Sequence, residues 1–255
     1  HDERHHGAPH HRHAAVHRLL LLPGILPAKR HRGTPYPWES LELHTRPARN
    51  GQTVMMREWI LPGLLKTGAV DERVMAVQDG PVNFFVVKGP CGLVCIDAGW
   101  RPSSVQRGFE ALELDLREVN AVFLTHGHWD HARCCTVYPN AQVFSGRSSS
   151  AMPQAAQPGR AHRHTTLRDG QTVQAAGLAV CAVATPGHTP DSYCYLVDHH
   201  YLFTGDALRL SKGRAAILAS RFNDDRQAVR QSLGKIAQLD GIECQIGRAS
   251  CRERV

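Results

Sequence analysis

The segment His126-Gly127-His128-Trp129-Asp130-His131 constrains this chain more than any other feature. It follows residues 121–124, a compact apolar run of the kind that forms a buried strand, with only Thr125 between. Neutral imidazole and carboxylate are the ligand types that suit Zn²⁺. In an extended segment residues i and i+2 point the same way. His126 and His128 can therefore hold one metal together, while Asp130 and His131 turn toward a second position nearby. A polar loop with unrelated histidines is the bland alternative, and the His-x-His-x-Asp-His spacing argues strongly against it.

Three other loops repeat the theme. Ile96-Asp97-Ala98-Gly99 and Phe203-Thr204-Gly205-Asp206 each end an apolar run with an Asp, and Thr185-Pro186-Gly187-His188-Thr189 ends one with a His. Each has small residues at the turn, which permit tight backbone geometry. Singly, each Asp reads as a turn or cap residue. With the histidine cluster they form a set of ligands presented from one edge of a sheet.

From about residue 70 the chain alternates short β-rich runs with helical spacing. Residues 73–77, 83–87 and 93–96 read as strands separated by Asp79-Gly80-Pro81 and Gly89-Pro90 turns. Residues 103–112 carry Val105, Phe109 and Leu112 at helical spacing. Strands are predicted at 121–124, 141–144, 178–184, 193–197 and 201–203, the last two joined by a tight turn at Asp198-His199-His200. Residues 225–239 read as an amphipathic helix through Val229, Leu233 and Ile236, and 242–245 as one more strand. Hairpins first and β-α alternation afterwards predict an α/β (α+β) layered fold, with a sheet core and helices outside.

On these motifs the chain resembles the metallo-β-lactamase-fold hydrolase superfamily over roughly residues 70–245. The resemblance implies a four-layer αβ/βα sandwich with metals at one sheet edge. It implies that His126, His128 and His188 are ligands of a first zinc, Asp130 and His131 ligands of a second, and Asp206 the carboxylate bridging both. Asp97 matches the motif Asp that supports the site from beside it. The family carries a further His after the final strand to complete the second zinc, and no His follows His200 here. The resemblance thus implies two zinc ions for a full set of ligands, with the second site incomplete as the sequence stands. His199 and His200, in the hairpin turn, are expected to point away from the metals.

The two ends look foreign to this pattern. The formal net charge is +7, of which residues 1–34 hold +4 and the last eight residues +2, so the body between is nearly neutral. That argues against a broad phosphate-binding face and against a nucleic-acid partner. Residues 1–34 also hold eight of the 17 histidines. Residues 1–40 are expected to be a disordered or non-native leader, 41–245 the folded domain, and 246–255 a non-native tail. Ile246-Gly247-Arg248-Ala249-Ser250-Cys251-Arg252-Glu253-Arg254-Val255 resembles the translation of a common sequencing adapter. A genomic record encoding it without an adapter match would remove that reading. No apolar run approaches the ~20 residues that span a bilayer. The patch at Leu19–Leu22 is short and broken by Pro23, which makes a poor targeting signal. The eight Cys form no Cys-x-x-Cys pair and several lie in apolar runs. They read as free thiols in a reducing, cytoplasmic compartment.

The expected chemistry is hydrolysis of a small-molecule substrate. Paired zinc ions would lower the pKa of a shared water, and the resulting hydroxide would attack a carbonyl carbon. Asp130 is the candidate to orient this nucleophile and relay its proton. Asp97 would hold a ligand His in the correct tautomer. The motif and Thr204-Gly205-Asp206 are similar to hydroxyacylglutathione hydrolases and acyl-homoserine lactonases, which implies an ester, thioester or lactone. Asp206 counts against a true zinc β-lactamase, and His128 against the diiron flavoprotein relatives. A phosphodiesterase of the same fold, a β-lactamase and an inactive truncated fragment stay open as alternatives. Arg133-Cys134-Cys135 departs from the small residues that commonly follow the motif. It reads either as a thiol near the metals or as helix packing beneath them.

Overall fold

The computed structural model describes residues 64–146, 163–211, 214–216, 220–242, 244–247 and 250–253. The expected leader, 1–40, lies outside the described residues. Seven strands form a first sheet in chain order: β1 (Gly68–Ala69), β2 (Val74–Asp79), β3 (Val82–Gly89), β4 (Gly92–Ile96), β5 (Val119–Leu124), β6 (Gln142–Ser145) and β7 (His164–Thr166). The first four strands pair antiparallel through short turns, and from β4 onward the pairing is parallel. The switch coincides with α1 (Pro102–Ala111), the crossover a parallel β4–β5 pair requires. Pro102 opens that helix at a position where its missing N–H costs nothing.

The second half repeats the plan. Strands β8 (Thr172–Ala175), β9 (Leu178–Ala184), β10 (Tyr193–Val197) and β11 (Tyr201–Gly205) run antiparallel. A two-stranded excursion, β12 (Arg209–Ser211) and β13 (Arg214–Ala216), follows. Then α3 (Arg226–Ile236) leads to β14 (Cys244–Gly247), which lies parallel to β11, with β15 (Ser250–Glu253) antiparallel at the edge. Asp225 caps α3 by accepting from the backbone N–H groups of Gln227 and Ala228. A four-residue helix α2 (Trp129–Ala132) follows β5.

Both faces of both sheets are covered, and the strand sequences show why. Along β2 to β4, Val74, Ala76, Phe85, Val87, Val94 and Ile96 face the second sheet, packing with Val180, Ala182, Tyr195 and Phe203. The residues between them, including Met75, Val77, Phe84, Val86 and Cys95, face outward against α1 and the segment after α2. In the second sheet Cys194, Leu196 and Leu202 turn outward against Ile236 of α3. Near-continuous apolar runs are what a strand buried on both sides demands. The result is the four-layer sandwich, helices outside and two sheets within. Among the described residues no helix is long and apolar enough to cross a membrane.

The predicted strands and helices match this order, with small shifts. The last predicted strand, 242–245, sits two residues later, because its register against β11 (Tyr201 opposite Cys244, Phe203 opposite Ile246) places Cys244 and Ile246 in the inner core. Residues 246–247, set apart with the tail, complete β14. The weaker strands β1, β7 and β8 were not predicted: each is two to four residues and carries little apolar pattern. The turn after β10 is tight, with positive φ at Asp198 (49°) and His199 (59°). Asp198 accepts from the Ala179 N–H (2.9 Å) and from Arg73 (2.6 Å). It lies at the start of β11, the end opposite Asp206, so His199 and His200 are remote from that carboxylate.

Phe123 carries the contact between the sheets. Its fully buried ring stacks on Phe144 (centroids 4.7 Å apart, 11° between planes) and meets Tyr195 of the second sheet at 5.2 Å. Phe123→Ala is expected to lower unfolding free energy by about 3–5 kcal/mol, read as a reduced urea midpoint with little change in slope.

Candidate metal centre

Four loops leave the sheets at one edge, and each brings a functional side chain. Asp97 follows β4, His126 follows β5, His188 follows β9 and Asp206 follows β11. The two sheets are pinned together here, since the Tyr193 N–H donates to the Thr125 carbonyl (2.7 Å) and the Tyr195 hydroxyl to that of Leu124 (2.8 Å). Gly205 makes the close approach possible. Its φ is +49°, and a Cβ there would lie 2.5 Å from Thr125 Oγ1.

Asp97 is buried and holds a left-handed backbone, φ 65°. Its carboxylate accepts from the Thr125 N–H (2.8 Å), from the Thr125 hydroxyl (3.0 Å) and from His131 Nδ1 (2.6 Å). The Thr125 hydroxyl in turn meets His126 Nδ1 at 3.0 Å. His188 Nδ1 donates to the Phe222 carbonyl at 2.5 Å. Three imidazoles therefore spend Nδ1 on protein oxygens, which fixes the tautomer and turns Nε2 inward.

Those inward nitrogens form two groups. His126 Nε2 and His188 Nε2 lie 2.9 and 3.1 Å from His128 Nδ1. One Nδ1 proton on His128 can serve only one of two facing lone pairs. Donor nitrogens about 2.0–2.1 Å from a tetrahedral zinc would sit about 3.3 Å apart, close to this spacing. The second group is His126, His131 and Asp206, whose ligand atoms, like those of the first, lie within 4.8 Å of one another. His131 Nε2 is buried and has no hydrogen-bond partner among the described residues. It stands 3.5 Å from Asp206 Oδ1 and 3.9 Å from Asp130 Oδ2. The other oxygen of Asp206 is 3.4 Å from His188 Nε2, so one carboxylate faces both groups. A buried imidazole nitrogen aimed at carboxylates, beside three converging imidazoles, fits a divalent metal of zinc's ligand preference.

Electrostatics point the same way. Burial would pull the His131 pKa down, but the carboxylates of Asp97, Asp206 and Asp130 outweigh it and raise it to about 9. The His188 value is lowered, chiefly by burial. A metal binding His131 at neutral pH must displace its proton.

The structure brings all seven sequence-predicted residues, Asp97, His126, His128, Asp130, His131, His188 and Asp206, to this one edge. Sequence reasoning missed Thr125 and the Phe222 carbonyl. Thr125 immediately precedes the motif and could have been considered. The carbonyl carries no side-chain signature and lies 34 residues from the ring it holds. Cys134 and Cys135 are fully buried in the outer core, and burial raises both thiols to about 12. Cys135 donates to the Ala132 carbonyl. They are packing beneath the site, which decides between the two readings of that segment. All seven described cysteines are free.

Comparison with known proteins gives a consistent picture. A family model described as the metallo-beta-lactamase superfamily matches residues 77–241. The chain is 34% identical over 117 residues to a probable polyketide biosynthesis zinc-dependent hydrolase, BaeB, of Bacillus velezensis, covering 45% of this chain and 49% of that protein. It is 34% identical over 116 residues to a hydroxyacylglutathione hydrolase of Pseudoalteromonas translucida, covering 42% and 41%. It is 28% identical over 203 residues to the lactamase-like protein adaB of Aspergillus niger, covering 73% and 57%. The chain spans about half the length of the curated relatives it matches. Among solved structures, a B3 metallo-beta-lactamase with an active-site glutamic acid is similar at TM-score 0.59 and 19% identity, covering 77% of this chain and 85% of that one. A metallo-beta-lactamase family protein from Thermus thermophilus gives TM-score 0.55 at 20% identity, covering 71% and 74%. At such identities these two likenesses speak for the fold.

Asp97→Asn removes the charge that orients His131 and, through Thr125, His126. Zinc affinity is expected to fall about 10- to 100-fold, measured by competition with a chromophoric chelator, while the circular dichroism spectrum is retained.

Proposed function

The chain belongs to the metallo-beta-lactamase superfamily, and on that premise we propose that it is a zinc-dependent hydrolase of a small ester, thioester or lactone. The observation that carries this reading is the pair of converging donor groups that Asp206 faces with one oxygen each. His126, His128 and His188 would hold one zinc, and Asp130, His131 and Asp206 a second. Bound there, zinc supplies a Lewis acid that polarises a carbonyl and brings the pKa of water toward neutrality.

The chain's own residues do the rest. Asp130 is only partly buried, and it would orient the attacking water and accept its proton. Asp97 and Thr125 keep His131 and His126 in a single tautomer through the cycle. The Phe222 carbonyl does the same for His188. This fixed array needs little reorganisation as charge develops on the substrate oxygen. Relatives whose names state zinc-dependent and hydroxyacylglutathione hydrolysis support acyl transfer to water. The nearly neutral body supports a small substrate over a polyanionic one.

Zinc titration followed by metal analysis is expected to show one ion retained through gel filtration and a second bound only in excess zinc, since the first group offers three imidazoles and the second one imidazole and two carboxylates. His126→Ala and Asp206→Ala should each lower thioester or lactone hydrolysis by at least about 10³-fold, the scale for loss of a residue acting within a catalytic unit. The panel should include a β-lactam and a phosphodiester. Turnover of either alone would replace the acyl-ester reading, and full activity in both variants would remove the site assignment.

A further inference from the structure

Among the described residues only two large apolar side chains are exposed, Trp129 and Phe222, each at 47%. Both belong to the metal centre's surroundings. Trp129 stands between His128 and Asp130, with its Cα about 3.8 Å from each of theirs. Phe222 holds His188 through its backbone carbonyl while its ring faces solvent. One aromatic thus comes from the motif of the first sheet, and the other from the segment that covers the His188 loop of the second.

Trp129 is backed by an ordered stack. Its ring meets Trp100 edge-on, with centroids 4.7 Å apart at 82°. Arg101 lies over the Trp100 ring at 4.8 Å. Arg101 is held by Asp79, whose buried carboxylate also accepts the backbone N–H groups of Trp100 (2.7 Å) and Arg101 (2.8 Å). The neighbouring Gly80, φ +67°, leaves the space this stack occupies, since a Cβ there would lie 2.5 Å from Arg101. Phe222 carries its own cation, with Arg221 at 4.8 Å from the ring centroid. A buried carboxylate, a guanidinium and an indole in series restrain the Trp129 ring, and a pre-ordered aromatic surface binds with little loss of side-chain freedom.

We propose that Trp129 and Phe222 are the substrate-selecting walls of this site and that they favour an acyl group with an extended apolar or aromatic body over a short polar one. The proposal rests on the hydrolase reading for its reaction, and on the exposed aromatics for its selectivity.

The test compares phenylacetyl and acetyl thioesters of N-acetylcysteamine on zinc-loaded protein. The unaltered chain is expected to favour the phenylacetyl substrate in kcat/KM by at least about tenfold. In Trp129→Ala and Phe222→Ala this ratio should fall toward one, mainly through KM, with zinc content unchanged. Trp129→Phe should restore most of it. Loss of roughly 10- to 100-fold matches removal of an apolar contact from a binding pocket. Equilibrium dialysis of phenylacetamide against acetamide gives a readout that does not depend on turnover. If neither thioester is hydrolysed but phenylacetamide binds more tightly and Trp129→Ala abolishes the difference, the hydrolase reading falls and the aromatic walls stand. If both thioesters are hydrolysed equally, or the ratio is untouched in both alanine variants, the walls fall and the hydrolase reading stands.

Discussion

The buried carboxylate of Asp97 ties the site to the fold. It sits in a left-handed turn that a non-glycine residue enters only at a cost of about 1–2 kcal/mol. That cost is offset locally: Asp97 donates its own N–H to Phe123, receives the Thr125 N–H and hydroxyl, and receives the His131 ring. Ala98 adds a bond to the His131 carbonyl (2.6 Å), and the Tyr138 hydroxyl caps the Ala98 carbonyl (3.0 Å). One side chain therefore joins the end of β4 to the end of β5 and to α2. The orientation of two imidazoles follows from it.

The sandwich supplies the rest of the precision. Strands buried on both faces cannot slip register without exchanging inner-core and outer-core side chains and disrupting the packing of both. The ends of β4, β5, β9 and β11 are thereby held at fixed heights along one edge. Cross-sheet bonds from Tyr193 and Tyr195 lock the two halves at that edge, and Gly205 lets them close without a side chain between. Several imidazoles and carboxylates converge there, and the raised His131 pKa records the carboxylates of Asp97, Asp206 and Asp130 around that ring.

The rim of the site is a different kind of structure. His126, His131, His188 and Asp206 are buried and mutually oriented, whereas Trp129 and Phe222 present apolar surface to solvent beside them. On the proposed reading, the interior would specify the metal chemistry and the rim the choice of substrate, a division that would let one donor array serve different substrates.

Most of the fold was legible from residues alone, because long apolar runs in β3, β9 and β10 and the helical spacing of α1 and α3 carry strong periodicity. Short strands such as β7 and β8 were not, because their pairing is dictated by a neighbour rather than by their own pattern. The donor residues could be named from spacing, since His126, His128, Asp130 and His131 lie on one short segment and the other donors end apolar runs. Sequence could also pair Asp97 with the site in principle. Only the tertiary structure decided which nitrogen of each His faces inward, because that depends on Thr125, on Asp97 and on a backbone carbonyl 34 residues from His188. It alone showed that one oxygen of Asp206 faces each donor group and that Cys134 and Cys135 are core. It alone set Trp129 on Trp100, Arg101 and Asp79. Residue types determine which chemistry is available, and packing between distant segments determines where each atom points.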